Sequence, residues 1–328
     1  MKTDYQKPEK KITTMQKISF AISFLLFVII VSFQVFFSPP ANFPRNKVIE
    51  IPKGSSLVKV SSILKDEGVI KFPRALDAFV IIFGGDRSVV AGDYSFDRSL
   101  SVFEVARRII TGDHGIDSVK IKIEEGASLH EVAEVFSSKL PDFKESEFNI
   151  LTKDMEGYLF PDTYIFFVTA DAGDVVDKML SNFDSKIKEF IPQVERSGKT
   201  MTEILTMASI IQKEAYNVYS EQQTISGILW KRIDKNMRLQ VDATLKYITG
   251  KPSSKLTLDD LAMEHDYNTY KNYGLPPGPI GSPSIKAIKA ALNPISSSYF
   301  FYLHDNSGQV HYAIDHDGHI KNKNNYLR

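Results

Sequence analysis

The longest run of apolar positions lies near the start of the chain, over residues 18–37, and carries no formal charge. A helix of that length extends about 30 Å, the thickness of a bilayer's hydrocarbon core. Five lysines and two acids precede it within residues 1–17, so the positive-inside rule predicts a cytoplasmic tail followed by a single-pass anchor. A cleaved signal peptide is the alternative, but the run is long for one and residues 38–44 lack a clear small-x-small cleavage site.

A strand-like alternation followed by a helical rhythm occurs twice further along, over residues 49–60 and 121–132. Both copies place a glycine and a serine at the same offsets, Gly54 and Ser56 in the first copy. This pattern predicts a short strand, a glycine turn, a serine N-cap and an amphipathic helix in each copy.

Another strand and helix are predicted between the two copies, over residues 91–96 and 99–112. Before the first copy, three prolines predict an extended linker over 38–46. We therefore predict a small α/β module with an internal repeat over 47–150. Its first copy resembles LysM-type modules, which bind N-acetylated glycans; a plain structural spacer is the alternative.

The most informative helical pattern covers residues 200–215, where Thr200 and Glu203 have the spacing of a capping box. On a helical wheel Glu214 lies about 20° from Met207, on or beside the apolar face. Burial raises the pKa of a carboxyl group, and a carboxyl that is still protonated near neutral pH can act as a general acid. The alternative is an ion pair with a basic residue in the last turn. The apolar face consists of Ile204, Leu205, Ala208, Ile211 and Ala215.

Two further segments combine aromatic and acidic side chains in a way that suits a sugar. Residues 156–164 include Glu156 and Tyr158, although a rigid surface loop would look similar. Gln240 and Asp242 alternate with apolar residues, so in an extended strand they would share one face. A capping or turn role is the alternative for Asp242.

Residues 268–283 are dense in proline and glycine, which predicts an irregular loop of fixed shape that lines a binding site. Asn268 and Tyr270 are its candidate contacts. Around it we predict helices over 172–190, 220–237 and 284–291, and a closing hairpin whose strands are 299–303 and 311–314. His311, His316 and His319 are interpreted as surface residues rather than metal ligands.

Composition excludes some classes of partner and of chemistry. Forty basic and forty acidic side chains cancel, so nucleic acid is not an expected partner. The chain has no cysteine, which excludes disulfides, thiol catalysis and cysteine-metal sites. We predict an α+β fold with a larger mixed domain over residues 151–328, and no metal or organic cofactor.

Four motifs, in order behind the anchor, resemble the endolytic murein transglycosylase family, also called the MltG or YceG-like family. They are residues 156–164, 208–215, 239–244 and 267–283. The resemblance implies a lyase that cleaves bacterial peptidoglycan between N-acetylmuramic acid and N-acetylglucosamine without water, leaving a 1,6-anhydro end. It places the family's catalytic glutamate on Glu214. The chain departs from the family at Gln212, where a glutamate is common.

The resemblance implies that Glu214 acts first as acid and then as base, while Glu156, Tyr158, Gln240, Asp242, Asn268 and Tyr270 are the candidates for the glycan groove. It also implies a protein of the bacterial plasma membrane whose catalytic domain is extracytoplasmic. The expected partners are peptidoglycan glycan strands and the membrane synthases, the penicillin-binding proteins, for which it would terminate nascent strands.

Two other functions are compatible with these residues. A hydrolase (muramidase) would use water, with Asp242 or Glu156 as a second carboxylate beside Glu214. A catalytically silent, anchored glycan-binding scaffold would bind through its N-terminal modules and cleave nothing. The products of the reaction distinguish the three functions, because only hydrolysis adds water to the new end.

Overall fold

The computed structural model describes residues 14–85, 88–215 and 218–327. The chain divides into two compact units, Met1–Asp117 and Ser118–Arg328. This division falls earlier in the chain than the predicted boundary after residue 150, which stays a prediction. Most of the predicted cytoplasmic tail lies outside the described residues.

The first unit contains one long helix and a small module. The helix α1 spans Thr14–Phe37 and includes the predicted anchor. Within the residues described, no helix meets the length and apolarity required to cross a membrane. The module follows as β1 (Ile49–Ile51), α2 (Leu57–Asp66), α3 (Pro73–Phe83), β2 (Gly92–Tyr94) and α4 (Val102–Thr111).

The core of the first unit forms where the antiparallel pair β1–β2 packs with α2, α3 and α4. The predicted linker takes part in this core, because Phe43 is buried against Phe96 with ring centroids 5.8 Å apart. The backbone N–H of Asn46 also donates to the Phe96 carbonyl at 2.8 Å. The segment 38–46 is thus packed onto the module and is not an extended spacer.

The second unit is larger and predominantly helical. A mixed α/β fold is confirmed, with two antiparallel strand pairs in this unit, β3–β4 and β5–β6. Its elements are β3 (Ser118–Lys122), α5 (Leu129–Ser137), α6 (Glu145–Leu151), β4 (Thr163–Phe167), α7 (Ala172–Ile187), α8 (Ile191–Ser197), α9 (Met201–Glu214), α10 (Tyr219–Asp234), α11 (Asp242–Thr249), α12 (Leu258–Ala262), α13 (Ile285–Leu292), β5 (Phe301–His304), β6 (Val310–Ala313) and α14 (His316–Tyr326).

The second repeat copy belongs to this unit because β3 pairs with β4, more than forty residues further along the chain. Local structure within each copy follows the prediction. Ser56 and Ser128 cap α2 and α5, and Gly54 and Gly126 turn the chain with φ of 75° and 84°. The two copies are alike in local structure, but their strands pair with different partners and they therefore belong to different units.

The helix α9 forms the centre of the second core and packs against α8, α10, α11 and α13. The predicted capping box is present: the Thr200 side chain accepts from the Glu203 N–H, and Glu203 accepts from the Thr200 N–H. Residues 204–211 are all buried, including Thr206 and Ser209. Their hydroxyls donate to the carbonyls of Thr202 and Thr206 within the helix, at 2.7 and 2.8 Å. Internal hydrogen bonds therefore allow a helix with polar residues to be buried on every side.

The loop before α13 is irregular, as predicted, and is fixed to its surroundings. The Gly126 N–H donates to the Ser282 carbonyl at 2.7 Å, and the Ser282 N–H donates to the Ala127 carbonyl at 2.8 Å. Gly281 has φ of 151°, and a Cβ there would lie 2.3 Å from the Gly126 carbonyl oxygen. Only glycine permits this close approach of two backbones.

The C-terminal hairpin β5–β6 is confirmed, and the segment that follows it forms the helix α14. Asp315 caps this helix. The Nε2–H of His311 donates to Asp305 Oδ2 at 2.8 Å, and the His311 ring stacks on Tyr326 of α14. Among the described residues, no group of three or more His, Asp or Glu side chains is arranged to hold a metal ion.

Candidate active site

The site is built around Glu214, the last residue of α9. One carboxylate oxygen, Oε2, accepts a hydrogen bond from the Tyr302 hydroxyl at 2.9 Å. The other, Oε1, accepts a longer bond from the Ala243 backbone N–H at 3.4 Å. Tyr302 lies on β5 and Ala243 lies in the first turn of α11, so three elements distant in sequence meet at this carboxyl group.

The surroundings of Glu214 raise its pKa. Burial is the largest cause, the Asp242 carboxylate acts in the same direction, and Tyr302, Ala243 N–H and His304 act in the opposite one. The alternative of an ion pair is not realised in the described part of the chain. Lys213, the basic residue of the same turn, lies 3.9 Å from Glu131 instead. The carboxyl group of Glu214 therefore keeps its proton to a higher pH than an exposed glutamate does.

Asp242 lies beside Glu214 at the start of α11. Its Oδ1 accepts a hydrogen bond from the Tyr270 hydroxyl. Thr269 fixes this helix start, because its hydroxyl oxygen accepts from the Val241 N–H at 3.1 Å and contacts the Thr244 hydroxyl at 3.0 Å. The structure thus brings two of the predicted groove residues, Asp242 and Tyr270, next to Glu214.

Gln240 and Asn268 do not lie as predicted. Gln240 has φ of 52° rather than an extended conformation, so it does not share a strand face with Asp242, although its side chain is exposed. Asn268 is fully buried, and its side-chain amide donates to the carbonyls of Leu261 and Met263 at 3.1 and 2.8 Å. These bonds use its side chain to hold the backbone, and a contact between Asn268 and the glycan stays a prediction.

Tyr158 lies at the other end of α9 from Glu214. Its hydroxyl forms a hydrogen bond with the Thr202 hydroxyl at 2.8 Å, and its ring packs on Phe183 with centroids 5.2 Å apart. Twelve residues of helix separate Thr202 from Glu214, a distance of about 18 Å at 1.5 Å per residue. The structure does not bring Tyr158 and Glu214 together.

Glu156 forms a second, partly buried carboxyl site. Its carboxylate accepts from the Leu129 N–H at 3.1 Å, at the start of α5, and from the Tyr247 hydroxyl at 3.1 Å, on α11. Burial raises the pKa of Glu156 to about 7, although both of these hydrogen bonds lower it. Glu156 therefore links α5 to α11 within the second unit.

The pKa of Glu156 predicts a pH-dependent stability. Its folded pKa of about 7 lies above the ordinary glutamate value of 4.5, so the stability that Glu156 contributes is fully present below pH 4.5 and is lost as the pH rises through 7. We expect the unfolding free energy of the parent to fall by about 3 kcal/mol between pH 4.5 and pH 8 because of this group. The Glu156→Gln variant should not show this decrease. Urea unfolding of both proteins at several pH values measures the difference. If the unfolding free energies of the two proteins changed with pH by the same amount, the raised pKa of Glu156 would be wrong.

The sequence patterns did not identify three residues of the site, Tyr302, His304 and Arg232. Tyr302 and His304 share one face of β5, and His304 bonds to Glu221 of α10 at 2.9 Å. Arg232, also on α10, is buried and donates to the carbonyls of Phe300 and Leu239. Period-two alternation places Tyr302 and His304 on one face of β5, but it does not indicate what that face contacts.

Gln212, where the chain departs from the family pattern, has a structural partner. Its side-chain oxygen accepts from the backbone N–H of Ser284 at 3.1 Å. Ser284 is the N-cap of α13. A neutral amide oxygen can accept this bond as a carboxylate would, so the departure leaves the support of the helix intact.

Comparison with known proteins places this geometry in context. The chain matches the YceG-like family over residues 49–325. It is 30% identical over 308 residues to the endolytic murein transglycosylase of Bacillus subtilis (strain 168), covering 85% of this chain and 84% of that protein. It is 26% identical over 358 residues to the endolytic murein transglycosylase of Streptococcus pneumoniae serotype 2, covering 93% of this chain and 64% of that longer protein. A crystal structure of a YceG-like protein from Listeria monocytogenes superposes with a TM-score of 0.58 at 29% identity, covering 84% of this chain and 99% of that one.

Proposed function

Because the chain belongs to the YceG-like family, we propose that it is an endolytic lytic transglycosylase, a lyase that cleaves the glycan strands of peptidoglycan. Relatives named endolytic murein transglycosylase support the reaction class. The observation that carries the assignment of Glu214 is its environment, a carboxyl with a raised pKa that is bonded to Tyr302 and to the Ala243 N–H and belongs to none of the described ion pairs.

In the first step, protonated Glu214 donates its proton to the glycosidic oxygen while the bond from that oxygen to C1 of N-acetylmuramic acid breaks. The leaving sugar departs with a new hydroxyl group. The substrate's own N-acetyl carbonyl stabilises the positive charge that develops at C1. Burial of the carboxyl favours the protonated form that this step requires.

In the second step, the Glu214 carboxylate removes the proton from the 6-hydroxyl group of the same sugar, and the hydroxyl oxygen bonds to C1. This closes the 1,6-anhydro ring and restores the protonated acid, so no water enters the product. The Tyr302 hydroxyl and the Ala243 N–H stabilise the carboxylate between the two steps. One carboxyl group is therefore sufficient.

Asp242 is placed to bind the substrate. Its Oδ1 accepts from Tyr270, and we propose that its other oxygen accepts the N–H of the substrate's N-acetyl group. That bond would orient the acetyl carbonyl towards C1. Glu156, Tyr158 and Gln240 stay proposals as more distant contacts with the glycan.

The chemistry predicts the mass of the product. We expect uncross-linked glycan strands to yield fragments with 1,6-anhydro ends, each lighter by one water molecule than the fragments produced by a muramidase from the same strands. Liquid chromatography with mass spectrometry measures this directly. Fragments with reducing ends would instead support the hydrolase, and intact strands would support the silent scaffold.

We also propose that α1 anchors the protein in the bacterial plasma membrane, with residues after 37 outside. Support comes from the uncharged run over residues 18–37 and from the lysine-rich segment before it. The large apolar side chains along α1 are exposed, Phe20, Phe24 and Phe27 among them. Protease protection in spheroplasts tests the topology.

The family resemblance further supports a role beside the penicillin-binding proteins, as a terminator of nascent strands. The strand–turn–helix units of the first unit support its proposed role as a LysM-like glycan-binding module. Strand-length analysis after depletion of the protein tests termination, since longer glycan strands are expected.

A further inference from the structure

We propose that Tyr302 is a positioning residue that determines which oxygen of Glu214 carries the transferable proton and sets the pH range in which that proton is available. The inference rests on the proposed function of Glu214 as acid and base. It goes beyond it by assigning a role to the C-terminal hairpin, which carries Tyr302 on β5.

The two oxygens of Glu214 are not equivalent. Oε2 lies 2.9 Å from the Tyr302 hydroxyl, a distance typical of a strong hydrogen bond. Oε1 lies 3.4 Å from the Ala243 nitrogen, beyond the usual range for N–H···O bonds. Tyr302 therefore occupies Oε2, and the proton that reaches the sugar resides on Oε1.

Tyr302 remains a hydrogen-bond donor throughout the working pH range. Burial is the main cause that raises its pKa well above the usual value, and the charge and hydrogen bond of Glu214 add to it. Arg232 of α10 acts in the opposite direction. The neighbouring titratable groups are Asp242 of α11, Tyr270 of the loop before α13, and His304 with its partner Glu221.

The hairpin holds the Tyr302 hydroxyl in place. Tyr302 is paired across the two strands with Tyr312. Arg232 Nε donates to the Phe300 carbonyl at 2.8 Å, just before β5 begins. A donor held by strand pairing and by a buried guanidinium can orient a carboxyl group without reorganising during the reaction.

The bond strengthens when Glu214 gives up its proton, because a hydrogen bond to a carboxylate is stronger than one to a neutral acid. Tyr302 therefore lowers the pKa of Glu214 and partly offsets the effect of burial. Without the hydroxyl, Glu214 would hold its proton more tightly. The acid step would then extend to higher pH, while the carboxylate intermediate would be less stable.

The test is the Tyr302→Phe variant, which removes the hydroxyl and keeps the ring. We expect kcat to fall about tenfold to a hundredfold, the value of one hydrogen bond to a charged group, with KM changed less than about twofold. The alkaline limb of the kcat profile, which follows loss of the Glu214 proton, should move upward by about one pH unit. A purely structural role for Tyr302 would lower activity without moving that limb.

The chain offers a matched control in Tyr312→Phe, on the opposite strand of the same hairpin. The Tyr312 hydroxyl bonds to Thr224 rather than to Glu214, so the variant should keep the parent's kcat and pH profile. If Tyr302→Phe fails to fold, fluorotyrosine at position 302 keeps both ring and hydroxyl. As a stronger donor it should move the alkaline limb to lower pH.

The outcomes separate this inference from the proposed function. An unchanged pH profile in Tyr302→Phe, or no movement with fluorotyrosine, would overturn the role of Tyr302 while leaving Glu214 as the acid. Cleavage by a Glu214→Gln variant would instead overturn the assignment of Glu214 as acid and base, on which this inference rests.

Discussion

The Glu214→Gln variant is expected to lose glycan cleavage by about a thousandfold or more while keeping its fold, because an amide can neither donate nor accept the transferred proton. Glutamine has nearly the same shape, and its side-chain oxygen can still accept from Tyr302 or from the Ala243 N–H. It also carries no charge that burial would disfavour. Stability above neutral pH should therefore be equal to that of the parent or higher.

The helix itself supplies the control for this experiment. Glu203 lies at the other end of α9, where its carboxylate accepts from the Thr200 N–H in the capping box. Glutamine also serves at this position of a capping box, so Glu203→Gln should leave both activity and folding unchanged. Release of soluble fragments from purified strands measures all three proteins. If the Glu214→Gln variant still cleaved the strands, another residue would be the acid, and neighbouring Asp242 would be the first candidate.

The sequence was sufficient to predict α9 and the place of Glu214 within it, since capping and apolar rhythm are local properties. The contacts that give Glu214 its chemistry are not local. Tyr302 lies 88 positions further along the chain and Ala243 lies 29 further. No periodic pattern specifies which residue of a distant strand or helix start reaches a given side chain.

Gln240 and Asn268 differ from the expected local geometry for the same reason, because contacts from distant segments override the local pattern. Gln240 alternates with apolar residues as a strand would, yet its backbone is left-handed because Thr269 fixes the segment that leads into α11. Asn268 is polar and lies in a loop, which favoured an exposed role. In the structure, its side-chain amide instead donates to the carbonyls of Leu261 and Met263 at the end of α12, where the last carbonyls of a helix have no partner within the helix.

Burial of polar residues is what assembles the site. Ser209 accepts from the Ile280 N–H at 3.0 Å, Gln212 accepts from the Ser284 N–H, and Thr269 holds the start of α11. Each of these bonds connects the helix or loop that carries a site residue to a neighbouring segment. Substitutions at these positions should therefore affect activity through geometry rather than chemistry.

The buried guanidinium of Arg232 leads to the largest expected effect on stability. Arg232 is 6% exposed and connects α10 to the hairpin through the Phe300 carbonyl and to the segment before α11 through the Leu239 carbonyl, at 2.8 and 2.6 Å. Replacement by methionine leaves the buried Leu239 carbonyl and the partly buried Phe300 carbonyl without this donor. At about 1–3 kcal/mol for each unsatisfied group, Arg232→Met should lower the unfolding free energy by about 4 kcal/mol.

Arg232→Lys distinguishes charge from geometry, because lysine keeps the charge but lacks the planar fork that reaches two carbonyls in different directions. We expect it to recover less than half of the loss. Exposed Arg238, whose guanidinium lies 4.7 Å from the centroid of the Tyr273 ring, is the matched control. Arg238→Met should cost less than about 1 kcal/mol, as expected for an exposed cation–π contact. If urea unfolding gave Arg232→Met and Arg238→Met similar losses of unfolding free energy, contacts other than those of Arg232 would hold the hairpin and α11. The proposed role of Arg232 in supporting Tyr302 would then be wrong.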